Sequence, residues 1–459
     1  MSNIILNTDS YKLSHNRQLP PKTEKVYSYF ESRVGAKFPT TTFFGLQYLI
    51  KKHLTGKVVT HEKIAQAKAI AAAHFGSGSL FNAEGWHYIL GKHKGYLPIS
   101  IRAVPEGMSI PESNVLMTVE NTDPAVPWLT NYLETLLSHV WYSSTVCTLS
   151  REVKKIILAG LEKTGDPAGI GFKLHDFGYR GSTSVESAGI GGLAHLVNFL
   201  GTDTLAALET GMEYYDSEVM AFSIPASEHS TITSWGGPEK EVDAFRNMLE
   251  QYPSGLVACV SDSFDIERAC TDLWGNELRE KVLARDGVLV VRPDSGEIVS
   301  TVLNVLSRLG NAFGTTVNSK GYKVLNPKVR MIQGDGCSIH TIQEVIRRMA
   351  IDKWSVDNIA FGMGGGLLQK MDRDTQRFAF KCSSVTIDGK EQDVYKSPKT
   401  DMTKASKRGR LELIRVGSEY KTVRAEEVEG REVVMREVFR DGILLNDEKF
   451  QTIRDRAAL

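Results

Sequence analysis

From about residue 170 onward, short apolar and β-branched runs alternate with amphipathic stretches of helical period, and each run ends in a polar or glycine-rich tip. The tips read "FKLHDFGYRG", "LVNFLGTD", "VMAFSIPASEH", "GLVACVSDS", "GVLVVRPDSG", "KVRMIQGDG" and "NIAFGMGGG", all between residues 172 and 366. The intervening stretches carry helix-start signals. Thr183 and Glu186 offer a capping box, and "DSFDIERACTDLW" and "SIHTIQEVIRRMA" begin with Asp or Ser before an amphipathic period. Strand–helix alternation at this spacing predicts a parallel sheet with right-handed crossovers. Polar groups at nearly every tip favour a closed, irregular β/α barrel. An open doubly wound sheet would gather them at one crevice.

The flanks follow another pattern. Residues 1–165 mix strand-like pieces ("KVYSYFES", "LPISIRAVPEG", "NVLMTVENT") with two predicted helices, "HEKIAQAKAIAAAHF" and Trp128 to Trp141. From about residue 380 the chain alternates charged and apolar positions ("RLELIRV", "YKTVRAEEV", "REVVMREVFRDGILL"), the pattern of an antiparallel sheet with one solvated face. The expected α/β architecture is a barrel over 166–371 and an α+β domain built from both chain ends, 1–165 and 372–459. A chain of 459 residues has room for both.

Composition narrows the possibilities. Lys+Arg and Asp+Glu are balanced at 55 each, so no global field draws the chain to nucleic acid or an anionic membrane. Cys147, Cys259, Cys270, Cys337 and Cys382 form no C-x-x-C pair, which argues against zinc and a disulfide framework and fits a reducing cytoplasm. The first residues hold too short an apolar run for a signal peptide, and no later stretch is long enough to span a bilayer. With no metal-spaced histidines, any metal is expected to be Mg²⁺ shared between carboxylates and substrate phosphates.

Asp176, Asp203, Ser223, Glu228, Asp262, Asp294 and Asp335 all fall at strand tips. Each alone reads as a helix cap; gathered on one barrel rim they suit sugar hydroxyls, Mg²⁺ or developing positive charge. The glycine turn 361–370 can bring backbone N–H groups close to a phosphate, although it is neither G-x-G-x-x-G nor a Walker pattern. Arg373, Lys381, Lys396, Lys404, Lys407 and Arg408 are either a solvated loop or a clamp on a more highly charged phosphate group. His229, between Glu228 and Ser230, has the setting of a nucleophile or proton carrier. Phe177 offers a flat face and Arg180 a fork, which together suit a planar heterocycle joined to a phosphorylated sugar.

These motifs, with "TDSYK" (8–12), "EHSTIT" (228–233), "RPDSG" (292–296), "QGDG" (333–336) and "FGMGGGLLQK" (361–370), resemble the nicotinamide phosphoribosyltransferase family nearly end to end and in the same order. The resemblance implies transfer of phosphoribose from phosphoribosyl pyrophosphate to nicotinamide, with Mg²⁺ and coupled ATP hydrolysis, in a homodimer whose sites lie at the subunit interface. It also implies residue roles. Phe177 would stack on one face of nicotinamide, Tyr11 of the other subunit would cover the opposite face, Asp203 would accept from the carboxamide, and Ser223 would also belong to the substrate site. Arg180 and Asp294 would meet the ribosyl phosphate, and Gly334, Asp335, Gly364 and Gly365 would line it. His229 would be phosphorylated, with Glu228 and Asp262 close by. Arg33, Arg292, Arg373, Lys381, Lys396 and Lys404 would surround the pyrophosphate and ATP phosphates, and Asp294 and Glu228 would hold the metal. The chain departs from vertebrate members in carrying Ala258, Met363 and Ala379 where those have serines. Nicotinate phosphoribosyltransferase is the nearest rival. A sugar-phosphate isomerase or aldolase would need a strand-end Schiff-base Lys or Glu base, and a phosphate-ligand binding protein would need no nucleophile.

Overall fold

The computed structural model of the chain describes residues 3–217, 221–397 and 405–459. It divides into two compact units. Unit 1 is Met1–Thr148, Thr210–Glu218 and Met371–Ala458; unit 2 is Leu149–Glu209, Val219–Lys370 and the terminal Leu459. The divisions thus fall at 148/149 and 370/371, against the 165/166 and 371/372 expected from the sequence, and unit 1 also takes 210–218.

Unit 2 carries the parallel strands. They are β1 (Leu174–Asp176), β2 (Gly201–Thr202), β3 (Ser254–Val260), β4 (Asp286–Arg292), β5 (Val329–Gln333) and β6 (Ile359–Met363). Their order is β2-β1-β6-β5-β4-β3, with every pair parallel. The remaining run, 222–227, closes the ring. On one side Thr202 N donates to Phe222 O (3.1 Å) and Phe222 N to Leu200 O (2.8 Å). On the other, Ser227 N donates to Ala258 O (3.0 Å) and Ala258 N to Pro225 O (2.9 Å). Pro225 has no N–H to give, which keeps this segment to isolated bridges.

Side chains at alternate strand positions fill the lumen. Ala258, Val290 and Ile332 form its apolar plug, with Phe177, Ile224 and Ala360 packed against them. The outer helices are held by their own sequences. Ile298–Phe313 buries Val302, Val305, Leu306, Leu309 and Phe313 and is capped by the Glu297 carboxylate. Ile339–Ile351 starts with a Ser338/Thr341 capping box. The box on Val185–Leu196 is Ser184/Ser187, one residue beyond the expected Thr183/Glu186 pair. At the N-terminal ends of β1 and β6 the half-buried Lys173 ammonium donates to the carbonyls of Val356 (3.1 Å), Asp357 (3.1 Å) and Ile359 (3.0 Å), stapling the two strand entrances together.

Unit 1 is built on an antiparallel sheet from both chain ends. Its order is Lys390–Asp393, Phe378–Ile387, Thr23–Ser32, Val115–Asn121, Ile99–Ala103, Arg436–Arg440, Ile443–Leu444. Thr23–Ser32 is buried from Val26 to Ser32, as befits a strand paired on both edges. The helix His61–Phe75 lies where its pattern predicts, capped by Thr60 and ended by Gly76 at φ 68. The expected Trp128–Trp141 helix is instead two short helices, Leu129–Tyr132 and Glu134–Ser138, and a longer one, Val140–Thr164, follows.

Candidate active site

The C-terminal ends of the unit 2 strands bring five of the expected side chains, Phe177, Arg292, Asp294, Asp262 and His229, into one network. β1 ends in a turn held by Asp176, whose carboxylate accepts from Gly178 N (2.7 Å). That turn lays the Phe177 ring against Gly362: a Cβ added there would lie 2.1 Å from Phe177 Cε2, so only glycine leaves room for the ring. The Arg292 guanidinium, at the end of β4, sits 5.6 Å from the Phe177 ring centroid. Arg292 Nε and Nη2 both donate to Asp294 Oδ1, at 3.0 and 2.8 Å. Asp294 N donates to Asp262 Oδ2 (3.0 Å), and His229 Nε2 pairs with Asp262 Oδ1 (3.0 Å). One path of contacts, Phe177–Arg292–Asp294–Asp262–His229, therefore crosses the rim from β1 to β3.

The Asp262 side chain is only 3% exposed while the His229 ring is 48% exposed, so a buried carboxylate holds an accessible imidazole. With Nε2 donating to the carboxylate, Nδ1 keeps the free lone pair. His229 opens the short helix His229–Thr233, and Glu228 precedes it. Glu228 N donates to Thr231 Oγ1 (3.2 Å), and the Glu228 carboxylate accepts from the Ser230 hydroxyl.

Beyond β2, Asp203 Oδ1 accepts from Ser223 Oγ (2.5 Å), and both residues are exposed. Gly334, after β5, lies close to the Arg292–Asp294 pair: a Cβ there would be 3.1 Å from Arg292 Nε and 3.3 Å from Asp294 Oδ1. Past β6, Gly365 approaches the β1 turn, where a Cβ on Gly181 would lie 3.5 Å from Gly365 Cα. Gly364 caps the single helical turn Gly365–Leu368. Arg180 is exposed and makes no ion pair among the described residues, so it is not tied up in a surface pair. Asp335 is exposed as well, its carbonyl accepting from Gln333 Nε2 (3.1 Å).

Asp176 is different. Its side chain is buried and serves the turn, so its place at a strand tip reflects structure and not ligand binding. Burial pushes its carboxyl from an ordinary 3.8 up to about 6. Between those values the folded chain holds a proton that the unfolded chain has released, so stability falls as pH rises through this window. The loss from this group alone reaches up to about 3 kcal/mol. Asp176→Asn is expected to flatten that slope, as denaturant titrations at pH 4 to 7 would show.

Two residues given no individual role from the sequence also face this region. Gly362 is one. His175 is the other, its ring packed on Gly201, where a Cβ would lie 2.3 Å from Nδ1, and its Nε2 3.0 Å from Phe172 O. Position parity marks both, because 175 and 177 share a strand face and 362 lies opposite 175 in the β1–β6 register.

Ala258 lies in the lumen plug, and Met363 and Ala379 are buried.

Apart from Arg292, which ends β4 in unit 2, the expected phosphate cations belong to unit 1. Lys381 faces Tyr29 across the sheet. Burial lowers its pKa. The Glu134 carboxylate raises it, and Arg33, Arg373 and Lys396 add to the lowering, so these cations stand within electrostatic reach of one another. Arg33 Nε donates to Arg377 O (3.3 Å), and Arg373 is largely exposed. Lys404 lies outside the described residues. Tyr11, on the 3₁₀ segment Ser10–Arg17, is 58% exposed.

Among the described residues no group of three His, Cys, Asp or Glu side chains could hold a metal ion by itself. The donor set still suits Mg²⁺ shared with substrate phosphates. Asp294 Oδ2 takes no hydrogen bond among the described residues, and the Asp262 carboxylate is adjacent.

Solved structures with this architecture include the nicotinate-nucleotide pyrophosphorylase of Pyrococcus furiosus, with a TM-score of 0.63 at 17% identity, covering 99% of this chain and 95% of that one. Human nicotinic acid phosphoribosyltransferase aligns with a TM-score of 0.56 at 15% identity, covering 98% and 92%. They define the fold class: a curled parallel β/α sheet with a second domain. In sequence, residues 172–443 match the nicotinate phosphoribosyltransferase (NAPRTase) family, and residues 3–101 match the nicotinamide phosphoribosyltransferase N-terminal domain. A nicotinamide phosphoribosyltransferase of Xanthomonas campestris pv. campestris is 52% identical over 434 residues, 93% of this chain and 91% of the relative. One from Acinetobacter baylyi is 32% identical over 492 residues, covering 98% and 96%. The chain belongs to the nicotinate phosphoribosyltransferase family and, within it, to the nicotinamide phosphoribosyltransferases.

Proposed function

We propose that this chain transfers phosphoribose from phosphoribosyl pyrophosphate to the ring nitrogen of nicotinamide, releasing nicotinamide mononucleotide and pyrophosphate in NAD salvage. The observation that carries the choice of base is the exposed Asp203 carboxylate, oriented by Ser223. A carboxamide donates a hydrogen bond to it. Nicotinate would set a second negative charge against it, and the two like charges repel. Turnover with each base is expected to favour nicotinamide by at least ~100-fold, and Asp203→Ser to narrow that ratio by about tenfold or more. Preference of the unmodified protein for nicotinate would assign the nicotinate enzyme instead.

The rim supplies the remaining chemistry. Phe177 supports one face of the ring, and Gly334, Gly364 and Gly365 bring backbone N–H groups to the ribosyl phosphate, with Arg180 and Asp335 beside them. As the C1–O bond to pyrophosphate breaks, positive charge develops on the ribose and the nicotinamide nitrogen donates its lone pair to C1. Asp294, with one oxygen held by Arg292, stabilises that charge. Asp294 and Glu228 would hold Mg²⁺, which when bound neutralises charge on the pyrophosphate. The unit 1 cations Arg33, Arg373, Lys381 and Lys396, with Lys404, take the polyphosphate groups.

ATP coupling belongs to the same reading. His229 Nδ1 attacks the γ-phosphorus, the bond to the ADP oxygen breaks, and Asp262 stabilises the charge on the ring through Nε2–H. In a homodimer Tyr11 of one protomer covers the base in its partner's site. No helix among the described residues is long and apolar enough to cross a membrane, and a cytoplasmic setting fits the reading.

A further inference from the structure

The "TDSYK" segment is docked on unit 1 with an unusual division of labour among its side chains. Thr8 Oγ1 donates to Tyr132 O (2.8 Å). Asp9 N donates to Thr135 Oγ1 (3.3 Å), and that hydroxyl returns a bond to Asp9 Oδ2 (2.5 Å). Lys12 is the deepest anchor. Its side chain is 2% exposed, and its ammonium donates to Asn131 O (2.9 Å) and Glu134 Oε2 (2.6 Å). The receiving turn is itself tied to the central strand, through Ser28 Oγ to Asn131 Oδ1 (2.7 Å) and Thr130 Oγ1 to Val26 O (3.0 Å). Among all these inward groups Tyr11 points out. Its ring lies edge-to-face with His15, at 5.0 Å between centroids, and 5.6 Å from the Lys12 ammonium.

Burying a lysine is costly unless it is paired, and pairing it here gains little for a core that has no other use for the charge. What the ion pair does accomplish is geometric. It fixes the residue next to Tyr11 against a rigid strand, so the phenol stands in one direction on a segment that would otherwise be a loose N-terminal turn.

We propose that Lys12, clamped between the Asn131 carbonyl and the Glu134 carboxylate, is a positioning residue that latches the Ser10–Arg17 segment and so presents Tyr11 as the cover for the base in the partner's site. The proposal rests on the covering role given to Tyr11 above. It separates two effects. Losing the latch loosens the cover over nicotinamide but touches neither the ribosyl-phosphate cradle nor the group that stabilises the transition state.

The test is a double-mutant cycle of Lys12→Met and Tyr11→Ala, with Glu134→Gln as a second way to open the latch. Melting temperature and sedimentation of each variant confirm a folded protein. Lys12→Met is expected to raise KM for nicotinamide about tenfold while KM for phosphoribosyl pyrophosphate stays within about twofold. In the Tyr11→Ala background it is expected to add nothing further, because the cover is already gone. Glu134→Gln is expected to shift KM for nicotinamide in the same direction by a smaller factor. An equal rise in both KM values, or full additivity with Tyr11→Ala, would overturn the latch. If Tyr11→Ala raises KM for nicotinamide but Lys12→Met does not, the latch alone falls. If Tyr11→Ala itself leaves that KM unchanged, the covering role fails and takes the latch with it.

Discussion

Asp294→Asn is expected to lower kcat by roughly 10³-fold, with a melting temperature close to that of the unmodified protein. Asp294 stands at the centre of the rim. Its side chain takes both Arg292 donors, and its backbone N–H reaches Asp262, which holds His229. The asparagine keeps the backbone link and an oxygen for Arg292, so the contact path survives while the negative charge does not. A carboxylate beside developing positive charge is worth more in the transition state than in the ground state, so the loss falls on kcat. Steady-state kinetics with saturating nicotinamide and phosphoribosyl pyrophosphate would show it. Retention of more than about a tenth of the activity would mean that the rim carboxylate serves only to orient Arg292.

The second large effect comes from a residue with no side chain. Gly362→Ala would set a methyl group 2.1 Å from Phe177 Cε2 and 2.2 Å from Cδ2, well inside contact distance. The ring has to leave its place, and with it go the flat support proposed for the base and the face under Arg292. KM for nicotinamide is expected to rise about 100-fold or more, alongside an overpacking loss of ~1–3 kcal/mol in stability. Phe177→Ala should raise the same KM without the overpacking strain. A Gly362→Ala protein with normal affinity for nicotinamide would show that the ring plays no part in binding the base.

Much of the barrel could be read from the chain because each strand there is a short apolar run with a polar tip, and the two signals reinforce one another. The run 222–227 announced itself in the same way, but Pro225 breaks the ladder there, so it bridges the edges of the ring without becoming a regular strand. The helix Val140–Thr164 was harder to see. Its opening, "VWYSSTVCTLS", is rich in β-branched and hydroxyl residues that disfavour a helix in isolation. In the fold those hydroxyls bond back to their own helix, Thr145 Oγ1 to Trp141 O and Thr148 Oγ1 to Ser144 O, each at 2.6 Å. At the site, the types and places of the groups were legible at the strand tips. Their partners were not. Phe177 against Gly362, Gly334 beside Arg292 and His229 on Asp262 are contacts across strands or loops, and they follow from register, which no single stretch of sequence encodes. Asp176 shows the converse, a carboxylate at a strand tip whose burial turns it into a structural hook.

In the unit 1 sheet, the strands made early in synthesis occupy the middle and those made late lie on both sides. Thr23–Ser32, Val115–Asn121 and Ile99–Ala103 must wait for Phe378–Ile387 on one flank and Arg436–Arg440 on the other. While the ribosome is still producing the intervening barrel, a nascent ribbon of these strands has both borders unpaired and open to adhesion with neighbouring chains. The order of translation thus makes the last eighty or so residues the seal on the first hundred and twenty or so, and a chain cut short before Phe378 would leave that ribbon permanently unsealed.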